Sequence, residues 1–124
     1  MKDEKMAEIL IADDDEATRS FASRALSGDG HNVLEVENGK RALSQIQSRH
    51  FDVLVSDLDM PELDGIGLAA HVTTHHPSLK VLLISGLGDE LRRAAGFDKN
   101  KLATLSKPFT LEQLRAAVRA LLAR

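Results

Sequence analysis

The stretch Val53-Leu54-Val55-Ser56-Asp57-Leu58-Asp59-Met60-Pro61-Glu62-Leu63-Asp64-Gly65 decides the fold. A short apolar, β-branched run closes on a carboxylate. An acidic loop containing a proline follows, and Asp64-Gly65 gives a turn and a helix start. Ile66, Leu68, Ala69 and Val72 then mark one helical face, and Pro77 stops the helix. The unit is strand, loop, helix. Upstream, Ile9 to Ala12 reads as a buried strand before a helix with Ala17, Phe21, Ala25 and Leu26 on one face, ended by Gly28-Asp29-Gly30. Val33 to Val36 is a second strand, and Asn38 caps a helix with Ala42, Leu43 and Ile46 inward. Downstream, Leu79 to Ile84 is the fourth strand, followed by Gly86, Gly88 and a helix near Asp89 to Ala95. Leu102 to Leu105 is the fifth. Thr110 caps a last helix carrying Leu111, Leu114, Val118, Leu121 and Leu122.

Five strand–helix units with apolar strands need cover on both sheet faces. Right-handed crossovers then predict an α/β, doubly wound, five-stranded parallel sheet, flavodoxin-like with order 2-1-3-4-5, and five helices. The expected domain runs over 8–124, with 1–7 as an N-terminal extension.

Bulk properties agree with one folded domain. The 124 residues are 43% hydrophobic and 28% charged, with a formal charge of -3. That charge gives no general drive toward nucleic acid or anionic membrane. The absence of cysteine excludes disulfides, thiolate catalysis and cysteine zinc sites. The charged start lacks the apolar stretch of a signal peptide, and no apolar run is long enough for a bilayer. A cytoplasmic location is the simplest expectation.

The polar residues fall at one end of the strands. Asp13-Asp14-Asp15 follows the first strand, Asp57 ends the third, Ser85 ends the fourth and Lys107 ends the fifth. In a parallel sheet these points share one edge, where ligands bind in such folds. Two carboxylates about 4 Å apart repel by roughly 4 kcal/mol at an effective dielectric near 20. Lys107 supplies one compensating charge, and a divalent ion suited to hard oxygen ligands, Mg²⁺, is the expected remainder. Metal, lysine and hydroxyl around a carboxylate form an arrangement for phosphoryl transfer, with the carboxylate as a possible nucleophile.

The segments Ile9 to Asp15, Asp57 to Gly65, Leu83-Ile84-Ser85-Gly86 and Lys107-Pro108-Phe109 resemble response-regulator receiver domains of two-component systems, the CheY-like superfamily. The resemblance covers nearly the whole chain, in order. It implies that Asp57 accepts a phosphoryl group from the phosphohistidine of a histidine kinase or histidine phosphotransfer protein. It implies Mg²⁺ on Asp14, Asp57 and the backbone carbonyl of Asp59, with Asp13 helping through water. Lys107 and Ser85 would each meet a phosphoryl oxygen, and Lys107-Pro108 would be cis. Such a protein modifies itself rather than turning over substrates, and switches binding to a downstream partner whose identity is open.

Competing readings stand beside this one. A haloacid-dehalogenase-like phosphatase also uses an aspartate with an acid two residues later, but places it on the first strand. A degenerate receiver would serve only as a binding module. Asp15 reads as a helix cap. His71 and His75 lie four apart and could share a face as metal ligands, although no third ligand is evident, which favours a solvated helix end. The run Asp89 to Arg93 reads as a solvated face.

Three features depart from the family pattern. Thr104 stands where many receivers carry a switching aromatic, so the expected readout runs through Ser85 and the Gly86-Leu87-Gly88 loop. Asp59 places a carboxylate two residues after the acceptor and is expected to alter phosphoryl lifetime. No output segment follows the last helix, which fits either a single-domain regulator or a domain excised from a larger protein such as a hybrid kinase.

Overall fold

The computed structural model describes residues 7–60, 62–86, 96–98 and 100–124. The strands are β1 (Glu8–Ala12), β2 (Asn32–Val36), β3 (Val53–Asp57), β4 (Lys80–Ser85) and β5 (Leu102–Ser106). All pairings are parallel, and the spatial order is β2-β1-β3-β4-β5. That is the predicted order. The described helices number four, not five: α1 (Glu16–Gly28), α2 (Gly39–Ser48), α3 (Gly65–His75) and α4 (Leu111–Leu122). The expected helix near Asp89 to Ala95, with its charge run, lies outside the described residues, as do Leu87 and Gly88.

The pleat divides the core in two. Leu10, Ala12, Leu54, Val81 and Leu83 pack with Ala42 and Ile46 of α2 and Leu68, Ala69 and Val72 of α3. Their alternate neighbours Ile9, Ile11, Val53, Val55, Leu82 and Ile84 pack with Ala22, Ala25 and Leu26 of α1 and Leu114, Val118 and Leu121 of α4. Side chains alternate across a strand with period two, so an apolar strand with no polar interior position is what a sheet covered on both faces requires. β3 is buried at all five positions.

Local chemistry fixes where each helix starts, and so where each loop ends. Asp15, Asn38, Asp64 and Thr110 are the N-caps of α1 to α4, each accepting from a backbone N–H three residues on. Thr110 and Gln113 complete a reciprocal capping box. Asp15 therefore does what its sequence position suggests. α1 is clasped to α4 by Arg119, whose guanidinium donates to both carboxylate oxygens of Asp29, and by Arg115, whose Nε donates to the Ala25 carbonyl at 2.7 Å. Lys80, at the start of β4, donates to the carbonyls of Leu121 and Arg124 at the end of α4.

Candidate acidic phosphoacceptor site

The carboxyl ends of the strands deliver the polar residues. Asp13 and Asp14 follow β1 directly, Asp57 is the last residue of β3, Ser85 the last of β4, and Lys107 follows β5. β1 and β3 are neighbours although β2 lies between them in sequence. This is the topological switch point, where the connections leave to opposite sides and open a crevice. Carboxylate oxygens of Asp13, Asp14 and Asp57 lie within 4.8 Å of one another. Among the described residues, this is the set of three potential metal donors that already converges. The Lys107 ammonium sits 3.4 Å from Asp57 Oδ1.

Backbone bonds tie these residues to the sheet. The Asp13 N–H donates to the Val36 carbonyl at 3.2 Å, and Leu58 N–H to the Ile84 carbonyl at 2.8 Å. Lys107 N–H donates to the Ser85 carbonyl at 2.8 Å, so the lysine and the serine are fixed to each other by main chain. Gly65 N–H closes the loop after β3 onto the Leu58 carbonyl at 2.9 Å. A Cβ at Gly65 would lie 2.5 Å from the Asp57 carbonyl oxygen, so α3 starts close beneath Asp57 only because residue 65 has no side chain. The Lys107–Pro108 bond is cis, as the resemblance implies.

The electrostatics are those of crowded, buried carboxylates. Burial raises the pKa of Asp57 to about 6, and the Asp13 carboxylate adds to the rise. Lys107 opposes both through its charge and its hydrogen bond, without cancelling them. Asp13 is also raised, mainly by burial, while the Asp15 N–H donated to Asp13 Oδ1 at 2.9 Å works the other way. Ser85 is buried, Asp14 and Asp59 are exposed, and Thr104 is exposed on β5. The donor set fits a hard divalent cation: three oxygen-bearing acids face one lysine.

One residue escaped sequence reasoning. Arg19 donates from Nη1 to the Asp13 carbonyl at 2.8 Å, and its Nε lies 3.4 Å from Glu35 on β2. It braces the acidic turn from behind. Its position on the first turns of α1 marked it only as a polar helix residue. Beside Lys107, Ala17, Thr18, Phe21, Pro108 and Phe109 line an apolar cleft of about 380 Å³, and the Phe21 and Phe109 rings pack 6.0 Å apart.

Comparison with known proteins places this geometry. The family model for the response regulator receiver domain matches residues 9–119. The chain is 38% identical over 116 residues to the response regulator MprA of Mycolicibacterium vanbaalenii, covering 94% of this chain and 50% of that protein. It thus spans about half the length of the curated relatives it matches. Among solved structures, the chemotaxis response regulator CheY4 of Vibrio cholerae superposes with a TM-score of 0.83 at 26% identity, over 94% of this chain and 99% of that one. The signal receiver domain of an HD domain-containing protein from Pseudomonas fluorescens Pf-5 gives 0.88 at 26% identity, over 99% and 91%. The nucleophile-first strand order of the phosphatase alternative is not found here, since Asp57 closes the third strand. The chain belongs to the response regulator receiver domain family of two-component signalling.

Proposed function

We propose that this receiver is an active phosphoacceptor, with Asp57 as the residue modified. The observation that carries the reading is the convergence of the Asp13, Asp14 and Asp57 carboxylates with Lys107 at 3.4 Å from Asp57. A receiver retained only as a binding module has no need to keep three repelling carboxylates together. Asp14, Asp57 and the Asp59 backbone carbonyl would hold Mg²⁺, with Asp13 contributing through water. When bound, Mg²⁺ supplies positive charge against the phosphoryl oxygens.

The chain's own groups do the rest. With its pKa at about 6, Asp57 is mostly ionised at pH 7 and able to act as nucleophile. Its oxygen forms the new P–O bond as the P–N bond of a phosphohistidine breaks and the donor imidazole leaves, taking up a proton. Lys107 pairs with one phosphoryl oxygen and the Ser85 hydroxyl with another, giving fixed charge and dipole where charge develops. Hydrolysis of the acyl phosphate returns Asp57. The donor is a histidine kinase or a histidine phosphotransfer protein, in the cytoplasm, meeting the acceptor edge beside the apolar cleft. The phosphorylated form then binds a downstream protein, the signal leaving through Ser85 and the adjoining Gly86. Among the described residues, no helix is long and apolar enough to cross a membrane.

Beryllofluoride binding tests whether the site is assembled for a phosphoryl group. Saturable binding that requires Mg²⁺ and is lost in Asp57→Ala is expected. Equal binding by Asp57→Ala contradicts the assignment. Turnover of a generic phosphate ester at many cycles per chain contradicts the view that the domain acts only on itself.

A further inference from the structure

At the opposite edge of the sheet, the C-terminal end of α3 gathers three imidazoles. The His71 and His75 rings stack with centroids 4.3 Å apart, and the His76 ring centroid lies 5.9 Å from that of His71. Position i and i+4 of a helix share a face. The third imidazole comes from the C-cap, because α3 stops at His75 and His76 turns back over the last turn. Sequence spacing alone reveals the pair and not this third member. We propose that His71, His75 and His76 form a binding site for a borderline divalent transition ion of the zinc or nickel type, distinct from the acidic crevice.

Three observations carry it. His75 Nδ1 lies 3.1 Å from the His71 carbonyl oxygen. A carbonyl only accepts, so Nδ1 is the donor and Nε2 is the ring nitrogen left to ligate an ion. Metal-bound histidines are commonly oriented in this way, with the other ring nitrogen donating to a backbone carbonyl. Next, the cluster sits at the end of a helix, where the macrodipole favours added positive charge. Last, burial lowers the pKa of His71, and the neighbouring His75 and His76 lower it further, which favours the neutral form that can bind a metal.

Imidazole donors select zinc, nickel, copper or cobalt over Mg²⁺, which prefers oxygen. The His71 and His75 rings stack and the His76 ring is tilted against His71, so the three do not share one centre until an ion rotates them; His75 is exposed and His71 and His76 are half-buried. Nearby positive charge is already engaged: the Arg49 guanidinium is paired with Glu8 at 2.9 Å and lies over the Phe51 ring. The acceptor edge is about one strand length away, roughly 17 Å, so the two sites do not compete for space.

The test is calorimetric titration of the untagged chain with Ni²⁺ and with Zn²⁺, in Mg²⁺ high enough to fill the acidic crevice. One ion per chain is expected, with at least about tenfold weaker binding in His75→Ala and in His71→Ala, and unchanged binding in Asp14→Asn. The His71, His75 and His76 ring signals in NMR should shift together at one equivalent. Both histidine variants should keep the parent far-ultraviolet circular dichroism, since these side chains lie outside the core. Binding that survives the His71→Ala/His75→Ala double variant, or that Asp14→Asn abolishes, places the ion elsewhere and overturns the proposal. So does the absence of any binding at 100-fold excess of ion.

Discussion

At the scale of single residues, burial makes the Asp57 carboxylate costly to ionise. Its native pKa of about 6 lies above the ordinary carboxylate value of 3.8. Above pH 6 the folded chain carries a charge it holds less well than the unfolded chain does. Between pH 6 and 3.8 the folded form binds the proton first, which relieves the penalty. Asp57→Asn should therefore stabilise the protein in chelator by roughly 1–3 kcal/mol above pH 6, with the gain gone below about pH 4. Urea unfolding at pH 7.5 and pH 3.5 checks it, and an equal effect at both values contradicts the assignment of the shift. Added Mg²⁺ should narrow the gap at pH 7.5 by stabilising only the wild-type chain. Glu62 is strained for a different reason. It has φ of 72°, the left-handed region, in the loop below the acceptor. Glu62→Gly should raise stability by about 1 kcal/mol, read as a higher Tm.

At the scale of elements, two glycines separate by what surrounds them. A Cβ at Gly65 meets the Asp57 carbonyl at 2.5 Å and Leu58 Cα at 2.8 Å, both backbone. Gly65→Ala must push α3 away from β3, at about 1–3 kcal/mol, and should slow phosphorylation with it. Among the described residues, a Cβ at Gly86 meets nothing within 4 Å. Gly86→Ala should fold normally and leave acceptor chemistry intact, while changing phosphorylation-dependent partner binding by stiffening the exit from Ser85. An unchanged affinity ratio between phosphorylated and unphosphorylated forms contradicts that route. The described elements were largely legible in sequence because β1, β3 and β4 carry unbroken apolar runs and each described helix opens on a capping side chain. Asp15, Asn38, Asp64 and Thr110 all sit where the caps are. Pairings of α1 with α4 were not legible. Arg115 reaches Ala25 and Arg119 reaches Asp29 across 90 residues of sequence, and no local pattern encodes that. The clasp of Arg19 on Asp13 and the approach of His76 to His71 are local, but they depend on how the chain turns at the start of α1 and at the end of α3, which residue spacing does not give.

At the scale of the whole molecule, the fold separates duties between the two edges of one sheet. The carboxyl edge collects Asp13, Asp14, Asp57, Ser85 and Lys107 because strand order, not sequence order, makes β1 and β3 neighbours. Fold-level reasoning from the parallel pattern was enough to place them together; the distances and the raised pKa of Asp57 needed the packed structure. The amino edge carries the histidine cluster and the Glu8, Asn32 and Arg49 contacts. The chain spans about half the length of the curated relatives it matches. The most direct measurement is intact mass after incubation with Mg²⁺ and phosphoramidate. The account predicts a gain of one phosphoryl group per chain, absent in Asp57→Ala and absent in chelator. No gain in the wild-type chain, or an equal gain in Asp57→Ala, would contradict it.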